Sequence, residues 1–271
     1  MKRNILDFKI LKETCLIIDK MYNLGWDERN GGNVSCLLDE KDLSEYLDLD
    51  KVIRTYPLNF DASEVKGKYF LATGTGKYFR NTLKDPETNL GIFRVSEDGQ
   101  NAELLWGYKD GGKSTSETYA HLMCHIARLR VDPNHKVVMH THPSSIIALT
   151  HILPNDEKEF TKALWRVMTE SIVVYPDGIG VLPWMQSGTY EIGVATAEKM
   201  MDRRIVVWGL HGIYGVGDSI DEAFGLIETV DKSAEIYLRY RPYEDINTIN
   251  DENLKGIAKF YGVTPREGYL D

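Results

Sequence analysis

The sequence predicts an α/β fold: a single domain with a central, mainly antiparallel sheet flanked by helices. Strand-like runs come in groups joined by hairpin turns, which favours antiparallel pairing. Segments with helical spacing flank those groups, which argues against a doubly wound parallel sheet. The chain has 271 residues, 42% of them hydrophobic, and no linker-like stretch. That suits one large core, so the expected domain spans residues 1–271. No internal repeat or low-complexity segment interrupts it.

Phe8, Ile10, Leu11, Cys15, Leu16, Ile18 and Met21 recur at roughly helical spacing, predicting an amphipathic helix from about Phe8 to Leu24 that stops at Gly25. Gly25 to Ser35 is then a polar, glycine-rich loop entering a short strand. Its paired glycines expose backbone N–H groups and Asn30 and Asn33 offer amides, although the same pattern also makes a plain turn. From Asp39 to Lys66 the chain is charged, and only Val52 to Tyr56 has strand character. Tyr69 to Ala72 is a strand running into Thr73, Gly74, Thr75, Gly76 and Lys77. This second glycine-rich turn is not a Walker loop, because Tyr78 replaces the hydroxyl residue after the lysine. Nor is it a dinucleotide fingerprint, because Phe79 stands at the last glycine. A small anion cradle fits it.

Gly91 to Val95 and Glu103 to Trp106 form the next hairpin, around Asp98 and Gly99. Ser114, Thr115, Ser116 and Glu117 lead into a helix through Ala120, Leu122, Met123, Ile126 and Leu129. The spacing is that of a capping box, with Ser114 as N-cap and Glu117 reaching back. The functional alternative places an anion on Thr115 and Ser116 while Glu117 faces a metal. Further helices are expected at Ser144–Leu149, Asp156–Trp165, Glu191–Met201, Ile220–Tyr240 and Asn253–Phe260. Strands are expected at Ile172–Tyr175, after Glu170, and at Ile205–Trp208. A turn at Pro176, Asp177 and Gly178 precedes an apolar segment through Val181 and Trp184.

The strongest chemical signal is Val137, Val138, Met139, His140, Thr141, His142, a β-branched run ending in two histidines on one strand face. His211, in a glycine-flanked turn after Ile205 to Trp208, is a third candidate. Three imidazoles with one open position make a catalytic rather than a closed zinc site. His121, His125, His135 and His151 have no partner at that spacing and read as ordinary polar or packed histidines. A net charge of -9 makes nucleic acid no obvious partner. No apolar run is long enough to span a bilayer. Cys15, Cys36 and Cys124 show no CxxC spacing, and the N-terminus lacks a signal-peptide core, so a cytoplasmic protein with reduced thiols is expected.

Taken together, GWDERNGGN at Gly25 to Asn33, TGTGK at Thr73 to Lys77, Thr115 to Glu117, His140 to His142, PDGIGVLPW at Pro176 to Trp184 and His211-Gly212 resemble the class II, zinc-dependent sugar-phosphate aldolases. The resemblance runs from Gly25 to about Ala234 and includes Phe260 to Pro265. It implies a homotetramer with active sites near subunit interfaces, cleaving a ketose 1-phosphate into dihydroxyacetone phosphate and an aldehyde. It further implies that His140, His142 and His211 hold one zinc ion per subunit and that Glu117 is the catalytic acid/base. Asn30, Gly31, Asn33, Thr75, Gly76, Thr115 and Ser116 would bind the substrate phosphate, and Glu170 would approach a neighbouring subunit's site. Threonine at 75 replaces a serine common in the family and keeps its hydroxyl. A fuculose-1-phosphate aldolase or ribulose-5-phosphate 4-epimerase would share these features. A three-histidine hydrolase would leave the anion-binding loops without purpose, and a non-catalytic relative would not need three histidines with Glu117.

Overall fold

Side chains that alternate between two covered faces, so that most strand residues are buried, build a nine-stranded sheet in a computed structural model that describes residues 2–270. The first and last residues of the expected 1–271 domain lie outside the described residues. The strands are β1 (Asn33–Leu38), β2 (Arg54–Pro57), β3 (Tyr69–Thr73), β4 (Leu90–Val95), β5 (Asn101–Gly107), β6 (Val137–Thr141), β7 (Gly180–Leu182), β8 (Ile205–Trp208) and β9 (Gly212–Gly217). They lie in the order β2-β5-β4-β3-β1-β6-β9-β8-β7. Every described pairing is antiparallel except that of β7 with β8.

The helices are α1 (Lys9–Asn23), α2 (Glu40–Ser44), α3 (Phe79–Thr82), α4 (Pro86–Asn89), α5 (Thr118–Val131), α6 (Ser144–Thr150), α7 (Glu157–Trp165), α8 (Thr169–Val174), α9 (Tyr190–Met200), α10 (Ile220–Tyr240) and α11 (Asp251–Tyr261). One sheet face packs Val34, Cys36, Val137, Met139 and Ile213 against α1, α6 and α10. The other packs Val138, Val206, Trp208, Tyr214 and Val216 against α5 and α9, and continues through Phe70, Ala72, Phe93 and Leu104. Among the described residues no helix is long and apolar enough to cross a membrane.

The elements expected around the site are present within a residue or two, but four features differ. The expected strand Ile172–Tyr175 is instead the helix α8: its apolar run is short, so periodicity alone does not separate strand from buried helix. Packing decides it, through the buried Ile172 and a 2.8 Å hydrogen bond between the hydroxyls of Ser171 and Ser233. The strand expected at Val52 starts two residues later, at the sheet edge, where Pro57 costs no ladder hydrogen bond. In α1, Thr14 and Ile17 are buried while Leu16 is exposed, so the buried face is rotated from the apolar reading. The unexpected strand β9 contains three glycines, two of them where α10 crosses it closely. A Cβ at Gly215 would lie 2.8 Å from Ile227 Cγ1, and one at Gly217 would lie 2.6 Å from Ala223 N.

Close approach also anchors the start of the TGTGK loop. The buried Tyr108 donates from its hydroxyl to Ala72 O at 2.9 Å, and its ring fills the space above Gly91. Replacing Gly91 with alanine would drive a methyl group into that ring. Overpacking of this kind typically costs about 1–3 kcal/mol, so G91A is expected to lower the urea midpoint with an unchanged m-value.

Candidate active site

Strand register assembles the site. Asn33 on β1 stands opposite His140 on β6, which stands opposite Tyr214 on β9, so these three side chains form one row on one sheet face. Glu117, the residue just before α5, lies buried over that row. Its Oε2 accepts from Asn33 Nδ2 at 2.8 Å and from the Tyr214 hydroxyl at 3.2 Å, and stands 3.8 Å from His140 Nε2. His142 shares the face two residues on, and His211 enters from the turn between β8 and β9. Ring centroids lie 4.9 Å apart for His140 and His142, 5.1 Å for His140 and His211, and 4.9 Å for His142 and His211. Their ligand atoms all fall within 4.8 Å of one another.

Glycine makes that convergence possible. A Cβ at Gly212 would meet His142 Cδ2 at 2.8 Å and Thr141 O at 2.5 Å, and one at Gly31 would meet His142 Nδ1 at 2.8 Å. Trp208 closes the side of the cluster, with its ring 5.0 Å from His140 and its Nε1 donating to Thr196 Oγ1 at 2.8 Å.

The outer contacts of the histidines define which nitrogens face inward. His140 Nδ1 lies 3.1 Å from Ile213 O, and His142 Nδ1 lies 3.0 Å from a carboxylate oxygen of Glu28. A carbonyl and a carboxylate only accept, so each Nδ1 donates, and in a neutral ring the Nε2 is then bare. The two bare Nε2 atoms are 3.2 Å apart. Facing lone pairs at that distance repel unless a cation lies near both, and the carbonyl–histidine and carboxylate–histidine contacts are those that orient metal ligands. Burial keeps His140 well below the ordinary histidine value, helped by His142 and His211. It also pushes His211 down to about 4. The 3.8 Å approach of Glu117 to the neutral His140 is therefore not an ion pair. Burial raises Glu117 above the ordinary glutamate value, opposed by the hydrogen bonds from Asn33 and Tyr214.

The anion-loop candidates fall into two groups. Gly74 bridges to Ser114, Thr75 N donates to Lys113 O and Thr115 N to Thr73 O, each at 2.9 Å, so the two loops lie side by side. Thr115 is buried, Thr75 half-buried, and Gly76 and Ser116 exposed. Gly31 sits beside His142, with Asn30 exposed just before it. Asn33 is engaged inside the protein, by Glu117 and by His121.

The capping-box reading of Ser114 and Glu117 is corrected here. Glu117 itself occupies the N-cap position and its carboxylate makes no cap bond; Thr115 Oγ1 accepts from Glu117 N at 3.3 Å instead. The backbone around Ser114 is drawn into pairing with residues 73 and 74, which moves the helix start past it. Glu170 is exposed in the first turn of α8, and no described contact joins it to the three histidines. Sequence spacing missed Tyr214, Glu28 and Asp27. Tyr214 would have followed from recognising β9; the other two carry no spacing signal.

Asp27 is buried beneath the histidine strand. Its Oδ1 accepts from Thr141 Oγ1 at 3.0 Å, and among the described residues its Oδ2 has no hydrogen-bond partner. Burial pushes it from 3.8 up to about 8. A raised folded value means that the native state holds the proton longer than the unfolded chain does. Stability is thus fully present below the unfolded value and is lost as pH rises toward 8. Thermal scans of wild type and D27N should accordingly diverge between pH 5 and pH 8, with wild type losing more. Parallel curves would show that Asp27 ionises freely.

The family described as Class II Aldolase and Adducin N-terminal domain matches residues 12–238. A rhamnulose-1-phosphate aldolase of Listeria monocytogenes serotype 4b is 51% identical over 272 residues, covering 100% of both chains. A sugar-phosphate aldolase structure from Thermotoga maritima superposes with a TM-score of 0.75 at 29% identity, covering 86% of this chain and 95% of that one. An L-fuculose 1-phosphate aldolase structure superposes at 0.62 with 18% identity, covering 93% and 96%, a likeness of fold alone.

Proposed function

The chain belongs to the class II aldolase and adducin family, and from that premise we propose that it is a metal-dependent aldehyde-lyase cleaving L-rhamnulose 1-phosphate to dihydroxyacetone phosphate and L-lactaldehyde. The full-length likeness to a rhamnulose-1-phosphate aldolase supports the substrate. The observation that carries the chemistry is the convergence of three histidines beside a buried carboxyl group.

His140, His142 and His211 fit a divalent ion, since they are held close together and two of them present bare Nε2 atoms. We assign zinc, one per subunit, because imidazole sets with an open position suit it. When bound, zinc supplies Lewis-acid stabilisation of the negative charge that develops as the C3–C4 bond breaks, worth several kcal/mol. As the aldehyde forms, the C4 hydroxyl gives up its proton to solvent, and Glu117 supplies the proton that the enediolate carbon takes up. Its Oε2 is occupied by Asn33 and Tyr214, which leaves Oε1 to protonate the enediolate carbon of the dihydroxyacetone phosphate half, or to remove that proton in the synthetic direction. A carboxyl group raised by burial suits both directions. Asn30, Gly31, Asn33, Thr75, Gly76, Thr115 and Ser116 would hold the substrate phosphate. Thr115 and Ser116 lie at the positive end of α5, a 14-residue helix.

Assembly as a homotetramer with sites near subunit interfaces would let the exposed Glu170 reach a neighbour's site. A cytoplasmic location accords with three free, buried cysteines.

Release of dihydroxyacetone phosphate from L-rhamnulose 1-phosphate, measured beside L-fuculose 1-phosphate before and after zinc is stripped and restored, tests the reaction. Preferential, zinc-dependent cleavage of the rhamnulose ester is expected; equal rates with both esters, or rates indifferent to zinc, would sink the assignment. E117Q should retain zinc while cleavage falls about 100- to 10,000-fold. H211A should lose zinc and activity together, and retained zinc would remove His211 from the ligand set.

A further inference from the structure

Two buried histidines outside the metal cluster have no part in the chemistry described so far. His121 and His125 sit one turn apart on α5, at 1% and 0% exposure, and face Ser35 on β1, which is equally enclosed at 3%. Three polar side chains where valine or leucine would pack are costly unless their hydrogen bonds are made. Nearly all of them are, and they run in one line. Ser35 Oγ lies 2.8 Å from His125 Nε2 and 2.8 Å from His121 Nδ1, and His121 Nε2 is hydrogen-bonded to Asn33 Oδ1. Asn33 Nδ2 donates to Glu117 Oε2 at 2.8 Å.

The direction of every bond follows from the last one. An oxygen of ionised Glu117 can only accept, so Asn33 must turn its NH2 toward it and its carbonyl oxygen toward His121. That oxygen requires an N–H at His121 Nε2. Burial holds His121 neutral, at about 3, so its Nδ1 is bare and must receive the Ser35 hydroxyl proton. Ser35 Oγ in turn accepts from His125 Nε2–H, which leaves His125 Nδ1 bare. Among the described residues that atom has no hydrogen-bond partner. The line therefore ends on an unfilled acceptor, and it uses one of the two N–H groups of Asn33.

We propose that Ser35, His121 and His125 are positioning residues for the lyase reaction: they lock the Asn33 amide so that Glu117 Oε2 always receives a hydrogen bond and the proton in turnover is confined to Oε1. A flipped amide would present its carbonyl to Oε2, draw the carboxyl proton there, and turn it away from the substrate carbon. This inference rests on the aldolase reading for its kinetics and on geometry alone for the direction of the bonds.

His121→Phe keeps a ring against Tyr214 but removes the donor to Asn33, whereas His121→Gln restores an N–H at the Nε2 position. In H121F, kcat should fall by about 10- to 100-fold, the usual scale for supporting residues of a metal site, with KM and zinc content unchanged. H121Q should recover most of that loss, which a purely space-filling role would not predict. Imidazole nitrogen NMR of the wild type should show both His121 and His125 as Nε2–H tautomers. S35A, which deletes one oxygen, should lower kcat without altering KM and gives the same test if H121F does not fold. A wild-type kcat in folded H121F, a loss of kcat matched by loss of zinc, H121Q no better than H121F, or an Nδ1–H tautomer at His121 would each overturn the proposal. The tautomers are read without substrate. A wild type that cleaves no ester yet carries both Nε2–H rings therefore supports the hydrogen-bond direction while refuting the aldolase reading.

Discussion

The register of β1 against β6 and of β6 against β9 is the constraint on which the site depends. Side chains in a strand alternate with a period of two, so a one-residue slip would send Asn33, His140 and Tyr214 to the opposite face. That face is packed by Val34, Met139 and Ile213 against α1, α6 and α10. Slipping would bury polar groups there without partners and expose core residues to the site. The hydrophobic pattern that stabilises the sheet thus also positions the site, and one error would damage both.

The second requirement is room. Three imidazoles, a carboxylate and two aromatic rings meet where backbones must come close, and glycine supplies the space at Gly31 and Gly212. Burial then does chemical work in opposite senses on the two kinds of titratable group. It removes the proton from His140 and His211, which frees them as ligands, and it holds the proton on Glu117 more tightly than water would. One buried pocket therefore places neutral bases beside a carboxyl group whose hold on a proton is strengthened.

Much of this was legible in the sequence. The histidine pair at the end of β6 followed from strand periodicity, and the helices and hairpins around it from helical spacing and turn residues. Where the reading failed, long-range packing outweighed the local signal. Ile172 to Tyr175 has strand-like residues, yet contact with α10 and α11 makes most of it helix. β9 is glycine-rich because α10 lies on Gly215 and Gly217 and the histidines crowd Gly212, and glycine in a sequence reads as a turn. His121 and His125 carry no partner at sequence spacing, because their partner Ser35 lies 86 and 90 residues away.

Glu117 shows most directly how one local pattern can serve either of two roles. Ser-Thr-Ser-Glu has the spacing of a capping box, in which the carboxylate would be spent on a backbone N–H. Pairing of Gly74 with Ser114 moves the start of α5 beyond the serine, and Thr115 Oγ1 takes the N–H that remains. The carboxylate is released from the helix and turned into the sheet, where Asn33 and Tyr214 hold one of its oxygens. A contact between two loops, one of them a candidate anion cradle, thus determines whether this glutamate ends a helix or faces a metal site. The loops and the carboxylate therefore form one structural unit.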